Sequence, residues 1–463
     1  MRPPGSRAGK PAAGDPFEVP PSLLLAGFGA ANQAAARALM ARGHGLIVFD
    51  DRGDPDVAAA AASCGLDLEV APDGRRLVDL VRSVGAVIPT PGMPEHHPVL
   101  AAATSLGVPT ASEFDLAGAW DSRPIAAVTG TSGKTTVTEM IVAALECSGV
   151  DAVAAGNNDL PLVSAVERSD VEVFVVEASS FRLSHSRRFE ADAACWLNFA
   201  PDHLDVHSDA ASYEAAKARL WQCLPPTGTA VANRRDPTVM SHLRDDRAAS
   251  TFSDEGRADW WSGAGVLTGP DGPIMAVGEL RRSMPHDIAN ALAAAATATL
   301  VGATAEGVAA GLRAYEPGAH RVQRVATIED VTFYDDSKAT TPHATVAALR
   351  SFDTAVLIAG GRNKGLDLRR LRDAADRVSC VVAFGEAADE VAEVFASDRP
   401  VLMAEDMTEA VELAATAAKP GTAVLLSPAC ASFDGYSGYA ARGEDFARAV
   451  NARARPTSEA ASR

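Results

Sequence analysis

Residues 126–140 read AAVTGTSGKTTVTEM, and the reading of this stretch decides the fold. IAAVTG, from Ile125, is an apolar run of strand length that enters a small glycine-bracketed loop. Beyond it Val137, Met140, Ile141, Ala144 and Leu145 recur at the spacing of one helix face. A strand, a glycine loop and an amphipathic helix in that order form the setting of a phosphate loop, in which successive backbone N–H groups at a helix N-terminus face oxygen anions. The common pattern G-x-x-x-x-G-K-[ST] would place a glycine at Val128, and this chain offers Gly130 instead. The surrounding pattern outweighs that departure. Gly130, Thr131, Ser132, Gly133, Lys134, Thr135 and Thr136 are the expected nucleotide contacts, with Lys134 reaching the β- and γ-phosphates and Thr135 ligating Mg²⁺. An ordinary turn between strand and helix is the competing reading.

Downstream, VEVFVVE (171–177) is an apolar strand ending in Glu177. A carboxylate at the carboxyl end of a buried strand opens into a ligand crevice, and beside a phosphate loop it suits a metal ion. The segment NFAPDHLDVHSDAASYEAAKARLW (198–221) concentrates Asp202, His203, Asp205 and His207 and then places Lys217 in a helix. On spacing alone these histidines read as hydrogen-bonded spacers and the lysine as a solvated charge.

Upstream, SLLLAGFGAANQAAARALMARGHGLIVFDDR (22–52) reads as strand, glycine turn, helix, strand and then acids. Gly27 and Gly29 fit a dinucleotide-type turn and Asp50 ends the second strand, but Asn32 stands where the third glycine belongs, so a bound nucleotide-like ligand and a fold-forming turn are equally consistent. PTPGMP (89–94) would border the same crevice. Toward the C-terminus, TAVLIAGGRNKG (354–365), SCVVAFGEA (379–387) and TAVLLSPACASFDGY (422–436) alternate with helical patterns, as in a parallel βαβ sheet. The loop around SKATTP gathers Arg321, Asp335, Asp336, Lys338, Thr340 and Thr341, and loops carrying cations suit anion capture.

The 463 residues suggest about three domains. The expected division is a loose tail over 1–20, then 21–120, 121–317 and 318–463, all in the α/β class. A net charge of −18 argues against a nucleic-acid partner, because phosphate backbones need a cationic face. Six scattered cysteines suit a reducing cytoplasm rather than a disulfide scaffold. ALAAAATATLVGA (291–303) is short for a membrane span and reads as a buried helix. Small-molecule substrates, no membrane association and a monomeric state are expected.

Taken together, GTSGKTT, FVVEASSF, APDHLDVH, SYEAAKARL, HDIANALAAA, GAHRV, DDSKATTPHA, GGRNKG and SPACASFD resemble the muramyl (Mur) ligase family over about residues 22–450. The resemblance implies an N-terminal Rossmann-like domain for the UDP part of a substrate, a central P-loop ATPase-like domain and a C-terminal dinucleotide-fold domain that takes the incoming amino acid. DDSKATTPH, GGRNKG and SPACASFD narrow it to the branch adding glutamate. The implied reaction is ATP-dependent addition of D-glutamate to UDP-N-acetylmuramoyl-L-alanine through an acyl phosphate, in peptidoglycan precursor synthesis. A paralogue adding another amino acid, such as L-glutamate, is the alternative.

By the same resemblance Ala30, Ala31, Asp50, Asp51, Arg52 and Gly92 contact UDP, Asn157 lies near the UDP-sugar, and Asn290, Arg321 and Asp336 contact ATP. Thr135 and Glu177 hold one Mg²⁺. His203 and Lys217 serve a second, the lysine as a CO₂-derived carbamate. Lys338 stabilises the acyl phosphate, Thr340 and Lys364 take the α-carboxylate, and Ser432, Phe433 and Tyr439 the side-chain carboxylate. Asn158, Asp159, Arg182 and Asp287 depart from the residues common in the family. Rival readings are a nicotinamide dehydrogenase, a non-catalytic nucleotide switch or scaffold, and, within the family, folylpolyglutamate synthase, which lacks this kind of N-terminal UDP domain.

Overall fold

A computed structural model describes residues 17–454. The expected loose tail lies outside the described residues except for its last four, and those are not loose. Phe17 and Val19 pack against the core, since apolar side chains of this size are stabilised by leaving water.

The chain forms two compact units. The first comprises residues 17–199 with Asp205–Arg281 and Asp287–Tyr315, and the second comprises Ala200–Leu204, Arg282–His286 and residues 316–454. Two short pieces expected in the central region thus group with the C-terminal one. Lys364 lies 3.6 Å from Asp202, and the Arg282 guanidinium donates to the Arg321 carbonyl.

The first unit contains two sheets. Strands β1 (Ser22–Ala26), β2 (Gly45–Asp50), β3 (Leu68–Val70) and β4 (Ala86–Pro89) are all parallel in the order β3-β2-β1-β4. The unbroken apolar run of β1 follows from burial on both faces. The second sheet has nine strands: β5 (Ile125–Thr129), β6 (Ala152–Gly156), β7 (Val173–Glu177), β8 (Ala193–Trp196), β9 (Thr229–Asn233), β10 (Ala249–Ser253), β11 (Trp260–Gly263), β12 (Val266–Gly269) and β13 (Gly272–Ala276). Their order is β13-β12-β11-β10-β9-β8-β5-β7-β6, with antiparallel pairing only among β11, β12 and β13. Val128 is fully buried within β5 and pairs with Glu177 and Cys195. That register explains the missing early glycine, because position 128 is still strand and the tight turn begins at Gly130.

The alanine-rich segment forms the helix Pro285–Leu300, with Ala291 to Ala296 fully buried. Among the described residues no helix is long and apolar enough to cross a membrane.

The second unit holds β14 (Gln323–Ile328), β15 (Val331–Asp335), β16 (Ala355–Gly360), β17 (Val378–Phe384), β18 (Val401–Ala404) and β19 (Ala423–Ala429). The order is β14-β15-β19-β16-β17-β18, parallel except for the β14–β15 hairpin. The crossovers bring the loops after β15, β16 and β19 to the carboxyl ends of neighbouring strands, where open α/β sheets bind ligands.

Candidate active site

The loop between β5 and the helix Lys134–Glu146 turns on Gly130 and Gly133, with φ of 155° and 88°. A Cβ on Gly133 would stand 2.7 Å from Asn290 Oδ1, so the structure brings Asn290 directly against the loop. No side chain caps the helix at Gly133, which leaves its positive dipole end open toward an anion. Lys134 arches back, its Nζ donating to the carbonyls of Gly130 at 2.8 Å and Thr131 at 3.2 Å. Lys217, on the helix Ala210–Gln222, donates to the same Gly130 carbonyl at 2.8 Å and lies 4.4 Å from the Tyr213 ring centre. Spacing alone made it a solvated charge, yet it is only 1% exposed.

Sequence reasoning missed Asn198, which follows β8, the neighbour of β5. Its Oδ1 accepts the N–H groups of Thr131 and Ser132 at 3.1 and 2.9 Å, and its Nδ2 donates to the Ser132 carbonyl at 3.1 Å, pinning the first half of the loop. Its only signal was a polar residue at the carboxyl end of a buried strand.

Glu177 closes β7 opposite Val128 and Gly156, beside the strand that feeds the loop, and is 4% exposed. Its Oε1 accepts from Asn157 Nδ2 at 3.1 Å. Asn157 Oδ1 in turn accepts from Arg182, and Arg182 donates to Glu113, both at 3.0 Å. Burial pushes the Glu113 carboxyl up, opposed by the charge of Arg182.

His203 and His207 separate. His203 belongs to the second unit, has a left-handed backbone (φ 55°), and places Nε2 3.4 Å from Asp202. His207 is buried in the first, between Glu95 Oε1 at 2.8 Å and Ser180 Oγ at 3.0 Å. Glu95 was also missed. It accepts the Ser208 N–H at 2.9 Å and the hydroxyls of Ser208 and Ser212. Burial pushes its carboxyl up, but these hydrogen bonds outweigh it and hold the group at about 2.

In the N-terminal sheet, Ala30 and Ala31 open the helix Ala30–Ala41 behind Gly29, again with no side-chain cap. Asp50 braces this turn, accepting the N–H groups of Phe28 at 2.9 Å and Arg52 at 3.0 Å. Asp51 pairs with His97 at 3.0 Å, and Gly92 (φ 87°) turns the loop after β4. Asn32 takes over the third glycine's task differently: its Nδ2 donates to the carbonyls of Gly27 at 2.8 Å and Ile88 at 3.1 Å, tying β1 to β4.

In the second unit Asp336 follows β15 and accepts from the Val322 N–H at 3.2 Å and Ser427 Oγ at 2.8 Å. Burial raises its carboxyl to about 7 against those hydrogen bonds. Lys338 Nζ lies 4.9 Å from the Tyr439 ring centre. Ser432 is buried while Phe433 is exposed. Both loops are fastened by Arg442, which has no exposed surface. It donates to Ser337 Oγ and the Ser337 carbonyl at 2.9 Å, the Cys430 carbonyl at 3.2 Å and the Ala431 carbonyl at 3.3 Å. Thr340 leads into the helix Pro342–Leu349, which Thr341 caps.

Among the described residues no group of three or more His, Cys, Asp or Glu side chains could hold a metal. A divalent ion at Glu177 would therefore need other donors, such as the Thr135 hydroxyl, a modified lysine or a nucleotide phosphate.

The family models "Mur ligase middle domain" and "Mur ligase, glutamate ligase domain" match residues 128–298 and 320–430. A protein of Frankia casuarinae named UDP-N-acetylmuramoylalanine–D-glutamate ligase is 42% identical over 93% of this chain and 94% of its own length. One of the same name from Thermobifida fusca is 36% identical over 93% and 98%. Among solved structures, MurF from Acinetobacter baumannii shares the fold at a TM-score of 0.60 and 17% identity, covering 90% of this chain and 98% of that one. UDP-N-acetylmuramate-alanine ligase from Thermotoga maritima does so at 0.55 and 17%, covering 93% and 99%. The chain belongs to the Mur ligase family. It is an ATP-dependent ligase.

Proposed function

We propose that this enzyme joins D-glutamate to UDP-N-acetylmuramoyl-L-alanine, activating the alanine carboxylate as an acyl phosphate, in the cytoplasmic stage of peptidoglycan precursor synthesis. The observation carrying the reading is the phosphate loop on which Lys134, Lys217 and Asn290 converge, in a chain 42% identical to a protein named for that reaction.

A carboxylate does not acylate an amine at useful rates because its leaving group would be oxide. Moving the γ-phosphoryl group of ATP onto it supplies phosphate as the leaving group. The glutamate amine then attacks the acyl carbon and phosphate departs from a tetrahedral intermediate. Several anions must meet, so fixed cations and oriented amides dominate the catalysis. The helix beginning at Lys134 and the lysine itself hold the β- and γ-phosphates, and family resemblance assigns Asn290, Arg321 and Asp336 to the rest of ATP. Glu177 and Thr135 would hold Mg²⁺, and a buried carboxylate at the end of the strand next to the one that feeds the phosphate loop fits such an ion. When bound, the ion neutralises phosphate charge. His203 and a carbamylated Lys217 would hold a second.

The N-terminal turn at Ala30, Ala31, Asp50, Asp51, Arg52 and Gly92 binds the UDP part, with Asn157 near the sugar. Lys338 stabilises the acyl phosphate, Thr340 and Lys364 take the α-carboxylate, and Ser432, Phe433 and Tyr439 the side-chain carboxylate. The three-domain division at 21–120, 121–317 and 318–463 and a monomeric state belong to the same proposal.

The test is phosphate release with ATP, UDP-N-acetylmuramoyl-L-alanine and a panel of amino acids containing both glutamate enantiomers. Release is expected only when D-glutamate and the UDP-muramyl substrate are both present. Turnover with L-glutamate instead would reassign the amino acid, and turnover indifferent to amino acid would overturn the ligase reading.

A further inference from the structure

Glu177 is the end of a chain of four side chains. Its Oε1 accepts from Asn157 Nδ2 at 3.1 Å, Asn157 Oδ1 accepts from Arg182 Nη1 at 3.0 Å, and Arg182 Nε donates to Glu113 Oε1 at 3.0 Å. Glu113 Oε2 accepts the Val163 N–H at 3.0 Å. Arg182 and Glu113 are buried, whereas Asn157 is exposed. An exposed asparagine ordinarily samples both amide orientations, and here the chemistry at its two ends removes that freedom. A guanidinium can only donate and an ionised carboxylate can only accept, while an amide has one group of each kind. Only Oδ1 toward Arg182 with Nδ2 toward Glu177 satisfies both. A flip would set donor against donor and acceptor against acceptor.

We infer that Arg182 is a positioning residue for the divalent cation at Glu177: through the Asn157 amide it fixes the carboxylate's orientation, and with it the cation affinity of the site. The inference rests on the reading of Glu177 as a magnesium ligand. Glu113 has its own part. By pairing with Arg182 it lets a cation approaching Glu177 meet a neutralised pair rather than a bare positive charge. A glutamine at position 182, which carries both a donor and an acceptor, would not dictate the amide's orientation.

The test uses the full chain with a non-hydrolysable ATP analogue and Mn²⁺ as a paramagnetic probe, free Mn²⁺ being read by electron paramagnetic resonance. R182Q and the double variant E113Q/R182Q, which leaves no unpaired buried charge, are each expected to weaken Mn²⁺ binding about 10-fold, the order seen when a partner of a metal ligand is removed. Analogue binding in EDTA should stay unchanged. N157A, at an exposed position where the fold tolerates change, should weaken Mn²⁺ binding as much. Combined with E113Q/R182Q it should add nothing further, because the three act in series. Unaltered Mn²⁺ affinity in folded E113Q/R182Q, or full additivity with N157A, overturns the inference. E177Q separates the two levels: if it leaves Mn²⁺ binding intact, the magnesium reading itself fails.

Discussion

Lys217 donates to the Gly130 carbonyl from almost complete burial, at 2.8 Å. A side chain that sequence alone assigns to solvent therefore reads the backbone of the phosphate loop. As an ammonium it can only donate, and as a carbamate its terminal oxygens could only accept. Modification by CO₂ would turn attraction to that carbonyl into repulsion and drive the side chain toward a cation.

Replacing Lys217 with alanine is accordingly expected to slow phosphate release by at least about 10²-fold, the scale for losing one preorganised electrostatic group. Acetate at high concentration should restore part of the rate, since it returns a carboxylate to the vacated space. Equal rates with acetate and with chloride would count against the carbamate.

Lys134→Ala should abolish phosphate release while the thermal midpoint moves by only a few degrees. Its partners include two loop carbonyls, and losing a typical intramolecular hydrogen bond costs only about 1 kcal/mol. An active variant would refute the phosphate-loop assignment.

Glu95 sets an acid limit. Its folded carboxyl is held at about 2 against an ordinary 4.5, so its contribution is fully present above 4.5 and is lost as pH falls toward 2. Glu95→Gln should therefore be less stable than the parent at pH 6, and the gap should close by pH 2–3. Urea midpoints at the two pH values measure it, and a gap that stays constant would exclude the mechanism.

Asp336 acts in the opposite direction. Burial lifts its folded carboxyl to about 7 from 3.8, so the stability it confers is present below 3.8 and is lost as pH rises through 7. Asp336→Asn mimics the protonated form and should lose less stability than the parent between pH 5 and 8. Parallel pH profiles would contradict this, and the same variant is expected to raise the KM for ATP.

The parts legible in the sequence were those governed by local periodicity. The helix face from Val137 to Leu145, the strand ending in Glu177 and the loop before Pro342 all depend on neighbours within a turn or two of chain. Glu95, Glu113 and Asn198 escaped because their partners lie far away in sequence: His207 is 112 positions from Glu95, and Arg182 is 69 from Glu113. Lys217 escaped for a related reason, as burial depends on which helix face meets the sheet. Val128 looked like a defect in a motif until strand register showed it to be part of β5.

The fastening of the second unit's loops by Arg442 bears on how such an enzyme diversifies. Three of its acceptors are main-chain oxygens, of Ser337, Cys430 and Ala431, and main-chain oxygens are indifferent to side-chain identity. Evolution can therefore exchange side chains along both loops, retuning preference for the acceptor, without redrawing the path of either.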